Sequence, residues 1–368
     1  MKLNKVILAF DSFKGSLSAE EAVEAASTAV RECCSSAEII GIPLADGGEG
    51  TTDALRRFMD AEMVSAKVHD PLMRPIEARY ALSRDGSTAI MEMAAAAGLI
   101  LLSQAERDPM KTSTYGVGEM ILDARGRGCR RIILGIGGSA TNDGGLGMLA
   151  ALGARICSDG GLIEKPCGAD LTRVTSISLD TVPEIDIEVI CDVSNPLFGP
   201  DGAAHVFAVQ KGADTIRIEI LDAGLRNLAG VCGLDPEIPG SGAAGGLGYG
   251  LRLLGAVIRP GSETIIELSG LDRQLDGADL VITGEGSIDS QTLCGKLPSG
   301  VLRCASRHSV PTIAVAGKVK ERDSLTAAGF KDVIQITPEG MPLETAMRKD
   351  VALMNLRNAI RNLLDQGV

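Results

Sequence analysis

The acids that could do chemistry in this chain lie in short glycine-rich runs. Asp143 sits in GIGGSATNDGG (135–145), Asp46 and Glu49 in ADGGEG (45–50), and Glu285 and Asp289 in TGEGSIDSQTLCGK (283–296). A fourth run, GSGAAGGLGYG (240–250), carries no acid. Glycine permits positive φ and lets a ligand approach the backbone closely. Tight turns alone would account for one such run; four of them, three with acidic company, favour a shared ligand site. Grouped carboxylates repel one another unless a cation joins them, and an oxygen donor set without His or Cys suits Mg2+. The simpler use of such acids is helix N-capping, which is open to Asp46, Asp143 and Asp289.

Lys14, Lys211 and Lys296, each in a glycine-flanked loop, are the complementary charges. A helix N-terminus contributes only about 0.3–1 kcal/mol to a surface anion. That is too little to hold a polyphosphate on a chain of net charge −12, so a nucleotide site here would need Mg2+ and local lysines as well. GIGGSA also fits G-x-G-x-x-A, with Asp159 further on, as in a dinucleotide fold. A dehydrogenase leaves the other three runs unexplained and ranks second. A Walker A loop is absent, since neither LCGKLP nor AVAGKVK has the upstream Gly and the following Ser or Thr. His69, His205 and His308 lie in separate segments without metal-ligand spacing, and no GxSxG nucleophile elbow occurs.

These residues need elements to hold them. RRIIL leads into GIGGSATNDGG and LGMLAALGA leads out, which predicts a strand-to-helix turn. There Gly137, Gly138 and Ser139 would present N–H groups, with the positive end of the helix behind them, to a phosphate or a carboxylate. VILAF (6–10) predicts a strand, and SLSAEEAVEAASTAVREC (16–33) a helix that opens on a Ser18–Glu21 capping box. EIIGIPL (38–44) is strand-like and leads to a helix near 51–60. DLVIT (279–283), TIAVAG (312–317) and DVIQIT (332–337) are strand-like too, with helices near 291–307 and 343–364. Strand alternating with helix at both ends predicts a parallel, doubly wound sheet. Lys14, ADGGEG and TGEGSIDS then fall at its carboxyl edge, where α/β folds place ligands. In the middle, VSAKVHD (64–70) and IEARYAL (76–82) alternate around PLMRP as a hairpin, and IDIEVICD (185–192) alternates as well. The expected fold is α/β: a Rossmann- or flavodoxin-like domain from 1–64 and 276–368, with a mixed α/β domain, 65–275, inserted.

Composition narrows the partners. The acidic balance disfavours nucleic acid and anionic membrane, and aromatics at 2 % with no Trp disfavour base stacking. No apolar run is long enough to span a bilayer. The N-terminal MKLNKVILAFDSFKG is expected to be a first strand, not a signal peptide. Nine cysteines without CxxC spacing predict reduced thiols and a cytoplasmic location. The sequence leaves the oligomeric state open.

DSFKGSLSA, ADGGEGT, RDP followed by TSTYGVGE, GIGGSATNDGG, CDVSNPL, QKGA, PGSGAAGGLG and TGEGSIDSQTLCGK occur in this order. Together they resemble the bacterial glycerate kinase family of glycolate and sugar-acid breakdown, from residue 7 to past 300. The resemblance implies ATP- and Mg2+-dependent phosphorylation of D-glycerate to 2- or 3-phosphoglycerate, and a two-domain fold with the active site in the cleft. The chain departs from the family's pattern at Ser287, where a basic residue is common, and at Ala208–Val209, where Gly-Pro is common. The second departure is expected to loosen the loop that presents Lys211.

Chemistry then distributes the roles. Asp46, Glu285 and Asp289 are expected to hold Mg2+. Lys14 and Lys296 are expected to meet phosphate oxygens or the substrate carboxylate. Asp192 is expected to orient the attacking hydroxyl. Asp143 is expected to accept a hydrogen bond from a glycerate hydroxyl or to approach Mg2+. Ser12, Gly47, Gly48, Gly137, Gly138, Ser139, Asn142, Asn195, Lys211, Gly245 and Gly246 are expected to bind substrate or phosphate. A nicotinamide-dependent sugar-acid dehydrogenase and a catalytically silent nucleotide- or glycerate-binding homologue are the alternatives.

Overall fold

Two strands open the chain, β1 (Lys5–Phe10) and β2 (Glu38–Pro43). Seven more form the middle third and its flanks: β3 (Ala61–His69), β4 (Pro75–Ser83), β5 (Thr88–Glu92), β6 (Arg131–Gly135), β7 (Arg155–Ser158), β8 (Gly161–Leu162) and β9 (Val174–Ser178). Then come β10 (Asp186–Ile190), β11 (Val257–Arg259), β12 (Leu280–Ile288), β13 (Thr312–Val319) and β14 (Asp332–Gln335). This computed structural model describes residues 3–45 and 50–367. It divides the chain into two units, Met1–Asp46 with Pro260–Val368, and Gly47–Arg259.

The first unit holds one sheet in the order β14-β13-β12-β1-β2, with every neighbouring pair parallel. Central parallel strands are covered on both faces and read as apolar runs; Val6 to Phe10 are all fully buried. The helix Ala19–Cys33 opens on the expected capping box. Glu21 N–H donates to Ser18 Oγ (3.2 Å), and Ser18 N–H to Glu21 Oε2 (3.1 Å). Its buried stripe, Ala22, Ala26, Ala29 and Val30, packs in one cluster with Ala352, Leu356 and Ile360 of the helix Lys349–Asp365.

The second unit carries a six-stranded mixed sheet, β11-β10-β6-β5-β4-β3, and a three-stranded antiparallel sheet, β8-β7-β9. β3 and β4 form the hairpin at PLMRP, where Asp70 Oδ1 accepts from Leu72 N–H (2.8 Å) and Arg74 N–H (2.9 Å). β10 is a parallel strand between β6 and β11, and Ile187, Val189 and Ile190 are all buried. Its alternation comes from Glu188, which pairs with Arg131 (2.5 Å) and Arg259 (2.9 Å) on the flanking strands. Burial pushes the Glu188 carboxyl up, but the two guanidiniums more than offset this and hold it below the usual carboxylate range.

The unit boundaries differ from 64/65 and 275/276. The helix Thr51–Phe58 belongs with the middle of the chain, because it packs on β3, β4 and β5 and Glu92 of β5 accepts Thr52 N–H (2.8 Å). The helix Gly261–Ser269 belongs with the C-terminal part, packed on Leu297–Arg307, with Ser262 Oγ donating to Gly295 O (2.5 Å).

Candidate active site

In the six-stranded sheet, the parallel strands β5, β6 and β10 end level with one another. Gly135 is in register with Glu92 on one side and Ile190 on the other. The carboxyl edge of this sheet therefore presents Glu92, then GIGGSA, then Asp192 two residues past Ile190. Gly137 and Gly138 lie at the surface of that edge, Gly138 at φ +73°. The N–H groups of Gly137, Gly138 and Ser139 have no acceptor among the described residues. The Gly138 and Ala97 carbonyls instead accept Leu99 N–H (2.9 Å) and Ala140 N–H (2.9 Å), which fixes the turn against the loop 93–99. Three adjacent N–H groups are thus left open at this edge.

Beneath this turn the structure corrects the expectation for Asp143. Its carboxylate has no exposed surface. Oδ2 accepts from Thr114 N–H (2.8 Å), Thr114 Oγ1 (2.8 Å) and Gly147 N–H (3.1 Å), and Oδ1 from Gly145 N–H (3.1 Å). Burial pushes the carboxyl up, against those four donors. Asp143 thus braces the turn into the six-residue helix Leu146–Ala151, whose N-cap is Gly145, and is clamped to Thr114, with no surface open to solvent. The helix end expected behind the anion is satisfied internally as well, since Met148 N–H donates to Thr114 Oγ1 (2.9 Å). The hydroxyls before it act alike: Thr112 Oγ1 donates to Ala140 O (2.9 Å) and Ser113 Oγ to Pro166 O (2.7 Å).

Gly245 and Gly246 are buried too, and they pack against this same turn, not against solvent. Both have positive φ, and a Cβ on Gly245 would lie 2.0 Å from Thr141 O. Gly144 N–H donates to Gly245 O (3.0 Å). Two of the four glycine runs are therefore two halves of one backbone-to-backbone contact.

Lys211 is 2 % exposed. Its ammonium donates to Thr141 O (2.6 Å) and Ser139 Oγ (3.3 Å). Burial pushes it down to about 7, with Asp143 acting in the opposite direction. The Ala208–Val209 departure leaves its loop tied, because Ala208 O accepts both Lys211 N–H and Ala213 N–H (3.0 Å each). Asn142 is fully buried, and neither atom of its amide has a partner. Asn195 Nδ2 donates to Asp201 O (2.8 Å) and Asn195 O accepts Gly242 N–H (2.9 Å), so this residue braces its own turn.

The first unit holds the other candidates. Lys14 is exposed in the turn after β1, where Ser12 N–H donates to Asp11 Oδ1 (2.6 Å). Phe10 is level with Gly284 and Pro43, so β1, β2 and β12 bring their following residues to one edge. TGEGSI continues β12 to Ile288 beside β13, so the loop opens only at Asp289. Glu285 Oε1 accepts from Thr292 Oγ1 (3.1 Å) and lies 3.9 Å from Lys296 Nζ. Asp289 Oδ1 accepts Gln291 N–H (3.1 Å), the capping use left open for it, and Ser287 is exposed. Asp46, Gly47 and Gly48 lie outside the described residues. Among the described residues no three His, Cys, Asp or Glu side chains converge as a metal site.

Glu92 escaped sequence reasoning. Burial pushes its carboxyl up, and it caps the helix whose own N-cap, Gly50, has no side chain to do so. The only local signal is an acid closing the apolar strand TAIME.

The glycerate kinase family model matches residues 6–366 of the chain. The chain is 41 % identical over 371 residues to a glycerate kinase of Bacillus cereus, covering 98 % of this chain and 97 % of that one. It is 41 % identical over 370 residues to the glycerate 2-kinase of Escherichia coli, again covering 98 % and 97 %. A crystal structure from Salmonella typhimurium LT2, described as a glycerate kinase 2, aligns with a TM-score of 0.86 at 42 % identity, over 99 % of this chain and 98 % of that one.

Proposed function

Since the chain belongs to the glycerate kinase family, we propose that it transfers the γ-phosphoryl group of ATP to a hydroxyl of D-glycerate, as a cytoplasmic enzyme. The observation that carries this reading is the family match over residues 6–366. Among the described residues no helix is long and apolar enough to cross a membrane.

Phosphoryl transfer asks a protein chiefly for positioning and charge neutralisation. The Gly137–Ser139 turn offers N–H groups to an anionic group of a substrate. Asp192, exposed at the end of β10 and beside that turn, is assigned the orientation of the attacking hydroxyl. Lys14 and Lys296 are assigned to phosphate oxygens or the glycerate carboxylate. Glu285, Asp289 and Asp46 are the residues that would hold Mg2+; their oxygen-only donor set fits a hard cation. The bound ion would neutralise charge on the phosphates.

A coupled assay for ADP release with D-glycerate and Mg-ATP tests the reading, and phosphorus NMR of the product assigns O2 or O3. Absence of ADP release with both substrates refutes it. Metal removal followed by excess EDTA is expected to abolish turnover and Mg2+ to restore it; undiminished activity in EDTA removes the ion from the mechanism. Lys14→Met is expected to lower kcat/KM at least tenfold, about 1.4 kcal/mol. The melting temperature should stay put, because the side chain is exposed. Wild-type kinetics in that variant would make Lys14 an ordinary surface lysine.

A further inference from the structure

Lys211 is a charge in the wrong place for a lysine. It is 2 % exposed, and its ammonium is bonded to a hydroxyl and a carbonyl, neither of them a counter-ion. Of its three N–H donors, two are used, on Thr141 O and Ser139 Oγ. An ammonium taken out of water without a counter-ion is costly unless something else compensates it. Asp143 does so only in part, since its two oxygens are engaged by Thr114, Gly145 and Gly147.

Residues beside its two partners carry several donors without acceptors. The N–H groups of Gly137, Gly138 and Ser139 have none among the described residues. Neither does Asn142 Nδ2, on a fully buried side chain. Arg107 Nε is buried without a partner too, and the carbonyl of Arg107 lies against Gly212, the residue after Lys211. Buried polar groups are satisfied in the great majority of cases, and each exception calls for a cause. Three adjacent N–H groups left open beside Ser139 and Thr141, the two residues that Lys211 holds, have a common remedy, an anion.

Ser139 links the two sets. Its Oγ accepts from Lys211 Nζ (3.3 Å) and from Thr141 N–H (3.1 Å). Its proton is shared within the turn, with Thr141 O (3.3 Å) and Thr141 Oγ1 (3.1 Å) in reach, so the hydroxyl braces the turn whose N–H groups stay open.

Resting on the kinase reading above, we propose that the Gly137–Ser139 turn is the subsite for one anionic group, a carboxylate or a phosphate, and that Lys211 is its positioning residue. Lys211 does not touch the anion. It holds Ser139 and Thr141 from behind and lends its charge to the turn.

The test titrates D-glycerate, Mg-ATP and inorganic phosphate, each by calorimetry, into the full-length wild type, Ser139→Ala, Lys211→Met and the double variant, with steady-state kinetics beside it. Ser139→Ala is expected to raise the Kd of at least one of the three tenfold or more, with KM rising more than kcat falls. Lys211→Met is expected to raise the same Kd, and the double variant to be no weaker than the worse single one. Weakening confined to D-glycerate assigns the carboxylate; weakening confined to Mg-ATP and phosphate assigns the phosphate; both outcomes support the subsite. Unchanged affinities in a normally melting Ser139→Ala overturn it. A double variant whose losses multiply overturns the part given to Lys211. Should Lys211→Met not fold, Lys211→Gln keeps a donor for Thr141 O without the charge, and wild-type affinity there overturns the role of that charge. If the wild type releases no ADP, the kinase reading falls, while the phosphate titration of Ser139→Ala still decides the subsite. If the wild type binds none of the three, both fall.

Discussion

Asp143→Ala is expected to melt on the order of 10 °C below the wild type. The substitution removes the acceptor of Thr114 N–H, Thr114 Oγ1, Gly145 N–H and Gly147 N–H, all buried. A buried donor left unsatisfied costs about 1–3 kcal/mol. Four of them, relaxing in part, total about 4 kcal/mol, and each kcal/mol shifts the melt of a domain this size by about 2–4 °C. Asp143→Asn separates the framework role from a chemical one. An amide oxygen placed at Oδ2 still takes the three donors there, but its NH2 then faces Gly145 N–H. That variant should lose about 2 kcal/mol, half the effect of alanine, and keep kcat/KM within tenfold of the wild type. If Asp143→Asn melts normally and turnover collapses, the carboxylate belongs to the chemistry after all, and the buried geometry is not the working one.

Gly245→Ala is expected to cost about 3 kcal/mol or more. The residue has φ +69°, and a Cβ would meet Thr141 O at 2.0 Å and Asn142 Cα at 2.6 Å. Those neighbours are backbone atoms of a turn fixed on every side, so they cannot swing away as the end of a side chain could. The loss should appear as a lower melting temperature and, through the displaced turn, as weaker substrate binding. Gly230→Ala is the matching control. Gly230 lies in the helix Thr215–Cys232, with open space where its Cβ would be. Alanine there should stabilise by about 0.5–1 kcal/mol. Equal melting temperatures for the two variants would mean that the runs 135–145 and 240–250 do not interlock.

The sequence by itself determined the elements whose signals are local. The apolar runs at 6–10 and 312–317 read as strand-like, and both are strands of the parallel sheet. Ser18 and Glu21 announced a helix start three residues apart, and PLMRP between alternating segments announced a hairpin. The ordered motifs carried the family. Gly137, Gly138 and Ser139 could be placed at a strand end because RRIIL precedes them, and the end of a strand is where N–H groups run out of partners.

Tertiary structure alone decided what each glycine and each acid faces. A glycine beside a ligand and a glycine beside another backbone look the same in a sequence, because both need only the missing Cβ. Gly245 meets Thr141 about a hundred residues away in the chain, and nothing within its own run announces that. Asp143 is buried against Thr114 and the start of the helix Leu146–Ala151 because Thr114 comes to it from another element. Lys211 reads as a loop lysine until the fold buries its ammonium under Ser139 and Thr141. Glu92 gains its meaning from β5 lying beside β6 and from the helix start at Thr52 that it caps. Short-range pattern fixes conformation, since propensity, capping and periodicity act over a few residues. Burial, hydrogen-bond satisfaction and the charge a side chain can carry depend on partners brought together only by the packed sheet.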